Sequence, residues 1–423
     1  NKGLKCPLFF YRKNSKMKFS YISLSIPIFF LLIGIELLIG YVKKKKLYRF
    51  NDALTNINLG IGQQVVGIAM KTLLGFGYVY LYEHARFFTF ENTTIALIGL
   101  VLGVDFFYYW FHRASHEINF LWAAHIVHHQ SEDYNLSVAL RQSWIQGWFS
   151  WIFYLPLALI GFEPEVFFPV VAFNTLYQFW IHTTTIKTMG PLEWIFNTPS
   201  HHRVHHGSNP KYIDRNHAGS LIIWDRMFGT FQKEEEEVVY GITSPLNSWS
   251  PVWANLHYWK DLWQLSTVSK GLDKVRVFLK PPGWQPEYLG GFQAPQEIDL
   301  KSYSKFNYDG LKQHHLYVFF VFMVSLSLST AVLFLKNSIS PTALYATMGY
   351  LLVTLAISGG LMENKRWIIP AEYARIFGAL LVMLLYWEHP NFMLIMQLAA
   401  LFVLLNFVWF SRIARTIRTH QNV

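Results

Sequence analysis

Nine hydrophobic runs dominate this chain of 423 residues, and each approaches the length that a helix needs to cross about 30 Å of hydrocarbon. The pattern predicts an all-α fold, a multi-pass membrane bundle of about nine helices. Several runs are short or contain polar residues, so some are expected to be broken or re-entrant. The runs cover residues 20–42, 60–82, 94–111, 144–161, 165–185, 315–335, 341–360, 374–389 and 391–410.

Basic residues between the runs predict the orientation of the chain, because cytoplasmic loops carry an excess of lysine and arginine. Lys43 to Lys46 follow the first run, Lys365 and Arg366 follow the seventh, and a third group follows the ninth: Arg412, Arg415 and Arg418. Nine crossings alternate correctly if these loops are cytoplasmic. We expect a multi-pass protein of the endoplasmic reticulum membrane in a eukaryote, or of the plasma membrane in a bacterium.

The N-terminal tail conflicts with this orientation. Residues 1–19 carry six basic side chains on what should be the opposite side of the membrane. A chain that started at Met17 would keep only Lys18, so we expect the first sixteen residues to be untranslated or dispensable.

Composition supports the membrane class and narrows the chemistry. Hydrophobic residues make up 52% of the chain and charged residues only 15%, which is more apolar than a usual soluble protein. The net charge of +10 suits an anionic membrane surface better than nucleic acid, because it is spread over loops that flank the hydrophobic runs. Cys6 is the one cysteine, so a metal would need nitrogen and oxygen ligands.

Three histidine boxes lie between residues 112 and 206, in the segments HRASH, HIVHH and HRVHH. On a helix, residues three and four apart share a face, so each box can act as one multidentate ligand. Adjacent residues such as His128 and His129 diverge by about 100° around a helix, so one HxxHH segment can serve two metals. The boxes contain eight histidines: His112, His116, His125, His128, His129, His202, His205 and His206.

A single histidine on an apolar helix is more often a hydrogen-bonded core residue than a metal ligand. Eight buried imidazoles without a metal would leave many donors and acceptors unsatisfied, or would bring like charges together. A structural zinc site needs four ligands and one metal, so this number favours two catalytic metals with open positions. At the membrane boundary, such a centre suits oxidation of a lipid C–H bond by dioxygen, with a pair of irons supplying the oxidant.

The boxes, with WDRMFGTF at 224–231, resemble those of the membrane fatty acid hydroxylase and sterol desaturase superfamily. Within it, four longer segments are similar to the alkylglycerol monooxygenase family. They are FYYWFHRASHE at 107–117, HHQSEDYNLSVALRQS at 128–143, YQFWIHT at 177–183 and NTPSHHRVHHG at 197–207. The similarity continues through VVYGIT into the C-terminal runs and covers nearly the whole chain from about residue 20.

This resemblance implies a di-iron enzyme that depends on tetrahydrobiopterin and dioxygen. It would hydroxylate the carbon next to the ether oxygen of an alkylglycerol or lyso-ether lipid in the membrane. The hemiacetal product would break down to a fatty aldehyde and a glycerol derivative. No nucleic acid and no obligate protein partner are expected.

The arrangement in superfamily hydroxylases also implies two ligand sets. One metal would take His112, His125, His128, His202 and His205. The other would take His116, His129, His182 and His206. Some hydroxylases carry a further histidine one turn before the position of His182, where this chain has Gln178, so the ligands of the second metal stay open.

Other polar residues have a functional and an ordinary interpretation. Glu117, directly after His116, is the candidate catalytic residue, because the resemblance implies that a glutamate is required there. Its carboxylate could hold a ligand's second nitrogen, offset metal charge or contact the pterin. The alternative is a solvated carboxylate at a helix end. Asp105, within an apolar run, is expected to have a supporting role near the metals or a structural one. His201 is a candidate donor to a ligand, and His217 has no assigned role.

The chain is expected to have six parts. They are a tail at 1–19, a transmembrane hydroxylase bundle at 20–185, a cytoplasmic catalytic segment at 186–280, a Pro/Gly-rich linker at 281–314, a C-terminal transmembrane bundle at 315–410 and a basic cytoplasmic tail at 411–423.

Two other functions stay open beside ether-lipid oxidation. One is hydroxylation or desaturation of a sterol or fatty acyl chain with electrons from a separate donor protein. The other is a non-catalytic membrane protein that binds metal or lipid.

Overall fold

The computed structural model describes residues 21–90, 93–295, 303–310 and 312–421. They form α-helices, short 3₁₀ turns and two isolated bridges, so the prediction of an all-α fold is confirmed. The predicted tail at 1–19, with Cys6 and Met17, lies outside the described residues. The helices are α1 Tyr21–Val42, α2 Phe50–Ala85, α3 Thr94–Glu117, α4 Asn119–His129, α5 Gly147–Ser150, α6 Leu155–Ile160, α7 Pro164–Trp180, α8 Pro199–His205, α9 Ile223–Phe228, α10 Pro251–Val268, α11 Asp273–Leu279, α12 His315–Leu335, α13 Pro341–Met362, α14 Ile368–Leu384 and α15 Phe392–Gln421.

Among the described residues, five helices are long and apolar enough to cross a membrane. They indicate a multi-pass membrane protein. The apolar side chains on their surfaces agree with contact to lipid, as at Leu31, which is 63% exposed. The five spans are Leu24–Val42, Thr94–Glu117, Lys312–Ser338, Pro341–Met362 and Phe392–Arg418.

The run at 60–82 lies within α2, which has 36 residues, and the other three predicted runs do not form helices of that kind. Residues 144–161 are divided between α5, a 3₁₀ turn at Trp151–Tyr154 and α6. Pro156 lies in the first turn of α6 and has no N–H for a helical hydrogen bond, so a continuous helix is interrupted there. The run at 165–185 ends as a helix at Trp180, and α7 and α14 have 17 residues each.

α2 joins the two halves of the molecule. Leu54, Ile61 and Val65 on this helix belong to the same buried cluster as Leu351 and Leu355 on α13. The predicted hydroxylase bundle and the C-terminal bundle therefore share one apolar core, and burial of this surface holds them together.

Residues 303–310, a part of the predicted linker, pack against the rest of the protein. The backbone N–H of Phe306 donates to Glu132 Oε2 at 2.7 Å, and Arg49 Nη1 donates to the Phe306 carbonyl at 2.5 Å. Trp249 Nε1 donates to the Tyr308 carbonyl at 2.6 Å. Residues 303–310 are thus held between α2, the loop after α4 and the start of α10.

Candidate metal centre

A break between two helices brings the first two histidine boxes together. α3 ends at Glu117, Ile118 is extended with φ −126° and ψ 120°, and α4 begins at Asn119. The chain changes direction within one residue, so the histidines of α4 lie beside those of α3. The ring centroids of His112 and His125 are 4.8 Å apart.

The third box lies on α8, which begins with a proline whose fixed φ suits the first helical position. A helix of seven residues needs support from its neighbours. Asn216 Nδ2 donates to the His201 carbonyl at 3.0 Å, and Arg203 Nη1 donates to the Thr183 carbonyl at 3.1 Å. Arg203 thereby joins the third box to the segment that carries His182.

Nine histidines, the eight boxed residues and His182, form two clusters in which the ligand atoms lie within 4.8 Å of one another. All nine are buried. Cluster A consists of His112, His116, His125, His129 and His205. Cluster B consists of His128, His182, His202 and His206.

The two clusters are neighbours. The ring of His129 in cluster A stacks on the ring of His206 in cluster B, with centroids 4.5 Å apart. The rings of His129 and His205, both in cluster A, are 4.8 Å apart. Two ions held by these clusters would therefore lie side by side, as in a dinuclear centre.

Carbonyl oxygens set the tautomer of five of these imidazoles. In each, Nδ1 lies 2.7 to 3.0 Å from an oxygen that can only accept, so Nδ1 carries the proton and Nε2 keeps its lone pair. Four of the five acceptors belong to the backbone. The pairs are His112 with His217 O, His125 with Gln146 Oε1, His128 with Arg141 O, His182 with Gln178 O, and His205 with Arg215 O.

The Nε2 atoms converge inside each cluster. His112 Nε2 lies 3.0 Å from His125 Nε2, and His128 Nε2 lies 3.2 Å from His182 Nε2. Because Nδ1 carries the proton in all four rings, these contacts bring lone pairs face to face, which is unfavourable unless a cation binds both. Three more Nε2 atoms are buried without a hydrogen-bond partner in the described part of the chain: those of His116, His205 and His206. This donor set fits a metal ion in each cluster.

Burial keeps the imidazoles neutral. It lowers the pKa of His125 to about 4. Burial, together with repulsion from neighbouring histidines, lowers the pKa of His205 and His206 well below 6.5. Since neutral imidazole is the form that binds a metal, the site is ready for a cation at pH 7.

A carboxylate that sequence reasoning missed stands beside cluster A. Asp214 Oδ1 lies 3.3 Å from His116 Nδ1, so it can accept that proton and leave Nε2 for a metal. Asp214 has a φ of 57°, a left-handed conformation that aspartate tolerates better than most residues. No spacing signal links it to the boxes, because the turn that positions it is a tertiary feature.

A cavity of about 320 Å³ reaches the clusters. His125, His128 and His182 contribute to its wall, together with glutamine amides and many apolar side chains. Lipid and drug-sized ligands bind in cavities of this kind, which are mostly apolar with a few polar groups. The clusters are therefore accessible to an apolar molecule with a small polar part.

Comparison with known proteins agrees with this site. The family model described as fatty acid hydroxylase matches residues 97–230, which contain all nine histidines. Alkylglycerol monooxygenase of Xenopus tropicalis is 41% identical over 351 residues, which are 82% of this chain and 78% of that protein. The protein of that name from Homo sapiens is 39% identical over 370 residues, 85% of this chain and 83% of its own. The chain belongs to the alkylglycerol monooxygenase family. No solved structure matches it.

In this member of the alkylglycerol monooxygenase family, the histidines fall into groups that differ from the ligand sets that the resemblance implies. His116 and His129 lie in cluster A with His112, whereas His128 and His202 lie in cluster B. Helix geometry is the reason, because residues four apart differ by about 40° around the axis and residues three apart by about 60° in the opposite sense. Boxed pairs four apart stay together here, and the pairs three apart in the second and third boxes separate.

Glu117 belongs to neither cluster. Its carboxylate accepts from Arg113 Nε at 2.8 Å, and its side chain is 47% exposed. Burial and the nearby charge of Glu117 raise the pKa of Asp214 to about 6. Nδ1 of His116 contacts Asp214, not Glu117, and a catalytic role for Glu117 stays a prediction.

Asp105 anchors the segment that follows the third box. Its buried carboxylate accepts from the backbone N–H groups of Ser220 and Leu221 at 2.7 and 2.9 Å, and from two side chains: Asn174 Nδ2 and Trp224 Nε1. A carboxylate in an apolar helix is thus fully hydrogen-bonded, and its role is structural.

Three residues left open by the sequence have distinct places. The carbonyl of Gln178 accepts from His182, and its side chain donates to Asn174 Oδ1 at 2.9 Å. The ring of His217 lies 5.0 Å from that of His116, and its carbonyl orients His112. His201 packs on Phe231 outside both clusters.

Proposed function

We propose that this protein is a di-iron monooxygenase that hydroxylates the carbon next to the ether oxygen of alkylglycerols and lyso-ether lipids, with tetrahydrobiopterin as the reductant. The observation that carries this proposal is the pair of adjoining histidine clusters whose Nε2 atoms converge. Membership of the alkylglycerol monooxygenase family and the apolar cavity that reaches the clusters support the substrate class.

The reaction balances as a two-electron monooxygenation. One atom of dioxygen enters the C–H bond beside the ether oxygen, and the other leaves as water. The reduced pterin loses the two electrons and two protons that this requires. The hydroxylated product is a hemiacetal, and transfer of its hydroxyl proton to the glycerol oxygen as the C–O bond breaks releases a fatty aldehyde and a glycerol derivative.

Cluster A would hold one iron and cluster B the other. The chemistry that bound iron supplies is the activation of dioxygen, for which no side chain offers an equivalent oxidant. The backbone carbonyls of Arg141, Gln178, Arg215 and His217 keep Nε2 of their partner imidazoles free and aimed inward. Asp214 orients His116 and adds a negative charge at the edge of the site.

The cavity is the part of the site that would receive the lipid. Its wall would bring an apolar chain to His125, His128 and His182. We place this site on the cytoplasmic side of the endoplasmic reticulum or bacterial plasma membrane. That placement rests on the nine crossings predicted from the sequence, which put the basic groups at 43–46, 365–366 and 412–418 on one side.

The test is an assay of detergent-purified, iron-loaded protein with an alkylglycerol and dioxygen, with and without tetrahydrobiopterin. We expect fatty aldehyde only when both the pterin and iron are present. Product that forms with a protein electron donor and without the pterin would favour oxidation of the sterol or fatty acyl kind. Metal or lipid binding without any product, under every donor, would favour the non-catalytic alternative.

A further inference from the structure

The cavity that reaches the clusters is not built by the hydroxylase segment alone. The family match covers residues 97–230, yet α12 in the C-terminal bundle contributes Leu326, Ser329 and Leu333 to the cavity wall. α1 contributes Phe29 and Phe30 to the same wall. A helix that begins at residue 315 thus shares a cavity with His125, His128 and His182.

The side chains that α12 presents to the cavity offer no hydrogen-bond donor to a ligand. Leu326 and Leu333 are apolar, and Ser329 Oγ donates to the Leu326 carbonyl of its own helix at 2.9 Å. Polar groups of the wall lie elsewhere, as at Gln146, whose Oε1 is 2.8 Å from His125 Nδ1. The cavity wall therefore carries an amide beside the histidines, at Gln146, and apolar side chains on α12 and α1.

This division matches a molecule that reacts at the junction of its polar and apolar parts. In an alkylglycerol, the carbon beside the ether oxygen is the first carbon of the alkyl chain. If that carbon lies at the clusters, the glycerol group lies among polar groups, and every remaining methylene must lie along apolar surface. Burial of each methylene strengthens binding by about fourfold, so the length of the apolar part selects among chain lengths.

We propose that α12 forms a wall of the alkyl channel and sets the chain length that the site accepts. This rests on the proposed function, since it names the alkyl chain of that substrate as the occupant. It also gives the C-terminal bundle a role in specificity beyond packing against α2. Leu333 is the residue of choice for a test, because it is a cavity-lining leucine that takes no part in the metal clusters.

The test uses Leu333→Trp and Leu333→Ala in the full-length protein, assayed with dodecyl and octadecyl glycerol. The matched controls are Leu335→Trp and Leu335→Ala, on the same helix at a leucine that is 51% exposed and outside the cavity wall. Leu333→Trp should lower kcat/KM for the octadecyl substrate by about tenfold or more and change the dodecyl value by no more than about twofold. Leu333→Ala should shift the preference toward the longer chain.

A second readout is the increase in melting temperature that each alkylglycerol produces in each variant. It should show the same dependence on chain length, and it does not require turnover. Three results would overturn the role of α12. They are an equal loss of kcat/KM for both substrates, no change for either substrate, or the same shift in the Leu335 controls. If the wild-type protein released no aldehyde but alkylglycerols stabilised it with the expected chain-length dependence, the proposed reaction would be wrong. The proposed alkyl channel would still stand.

Discussion

His128 and His129 are adjacent in the chain, yet they belong to different clusters. Their rings are inclined at 83°, with centroids 5.4 Å apart. His128 Nε2 faces His182 in cluster B, whereas His129 Nε2 lies 3.2 Å from His125 in cluster A. One short helix therefore serves both halves of the centre, and each half should be separately removable.

Double substitutions in the third box should distinguish the two possible divisions of the ligands. His202→Ala with His206→Ala removes two of the four members of cluster B, so about one metal per chain should remain. His202→Ala with His205→Ala removes one member from each cluster and should weaken both ions. The measurement is metal content after dialysis at matched expression. The ligand sets implied by the resemblance put His202 and His205 on one metal and His206 on the other. They require one remaining metal in the His202/His205 variant and weakening of both metals in the His202/His206 variant, and that result would overturn clusters A and B.

The wild-type protein should contain close to two metals per chain, because nine converging imidazoles fit two ions. Removal of the metals with a chelator should abolish aldehyde formation, and iron should restore it. Zinc should bind without restoring turnover, since it has no redox chemistry. Elemental analysis beside the activity assay is the check, and a stoichiometry of one would contradict the dinuclear proposal.

Glu117→Gln should leave the protein folded and inserted, yet cut aldehyde formation by about tenfold or more, as loss of supporting carboxylates near metals typically does. The reason is charge, because two ferrous ions with neutral ligands carry about +4. His116→Ala should be worse and should also lower metal occupancy. Turnover and metal content of both variants are the measurements. Normal turnover in Glu117→Gln would make this carboxylate a surface partner of Arg113.

Asp214→Asn is the matched comparison, because asparagine also tolerates the left-handed backbone at this position. It removes the charge beside His116 Nδ1 and should weaken metal binding by about 10- to 100-fold. Competition with a chelator of known affinity measures this. Unchanged metal affinity would show that His116 needs no carboxylate partner.

Asp105→Asn should destabilise the protein by about 1–3 kcal/mol, because the new amide brings N–H donors to a site where four donors converge. Asp261→Asn, at an exposed position, is the control and should be nearly neutral. Thermal unfolding in detergent compares the two. If Asp105→Asn were as stable as the control, the anchor between α3 and the segment after the third box would be unimportant.

Epitope tags inserted after Lys44 and after Val423 should both be cytoplasmic, because the basic residues at 43–46 and 412–418 are expected on the same side. Protease protection in sealed vesicles measures the exposure of each tag. Opposite exposure would contradict the nine-span prediction and the proposed placement of the site.

Local periodicity was sufficient to predict that the eight boxed histidines gather, whereas His182 was expected only from the resemblance. The spacing of four residues places boxed side chains on shared helix faces, and the 100° step between His128 and His129 anticipates two clusters. Hydropathy likewise anticipated α1, α3, α12, α13 and α15, because a long apolar run has few other stable states in a membrane.

Tertiary packing decided which imidazoles meet and what orients them. The acceptor for His128 Nδ1 is the backbone carbonyl of Arg141. Every residue has a backbone carbonyl, so no sequence pattern marks the carbonyl of Arg141 as an acceptor. Glu117 adjoins His116 in the chain, but the carboxylate nearest to His116 Nδ1 is that of Asp214, which a turn nearly a hundred residues later brings there. Sequence neighbours on a helix diverge by about 100°, so proximity along the chain does not place two side chains in one site.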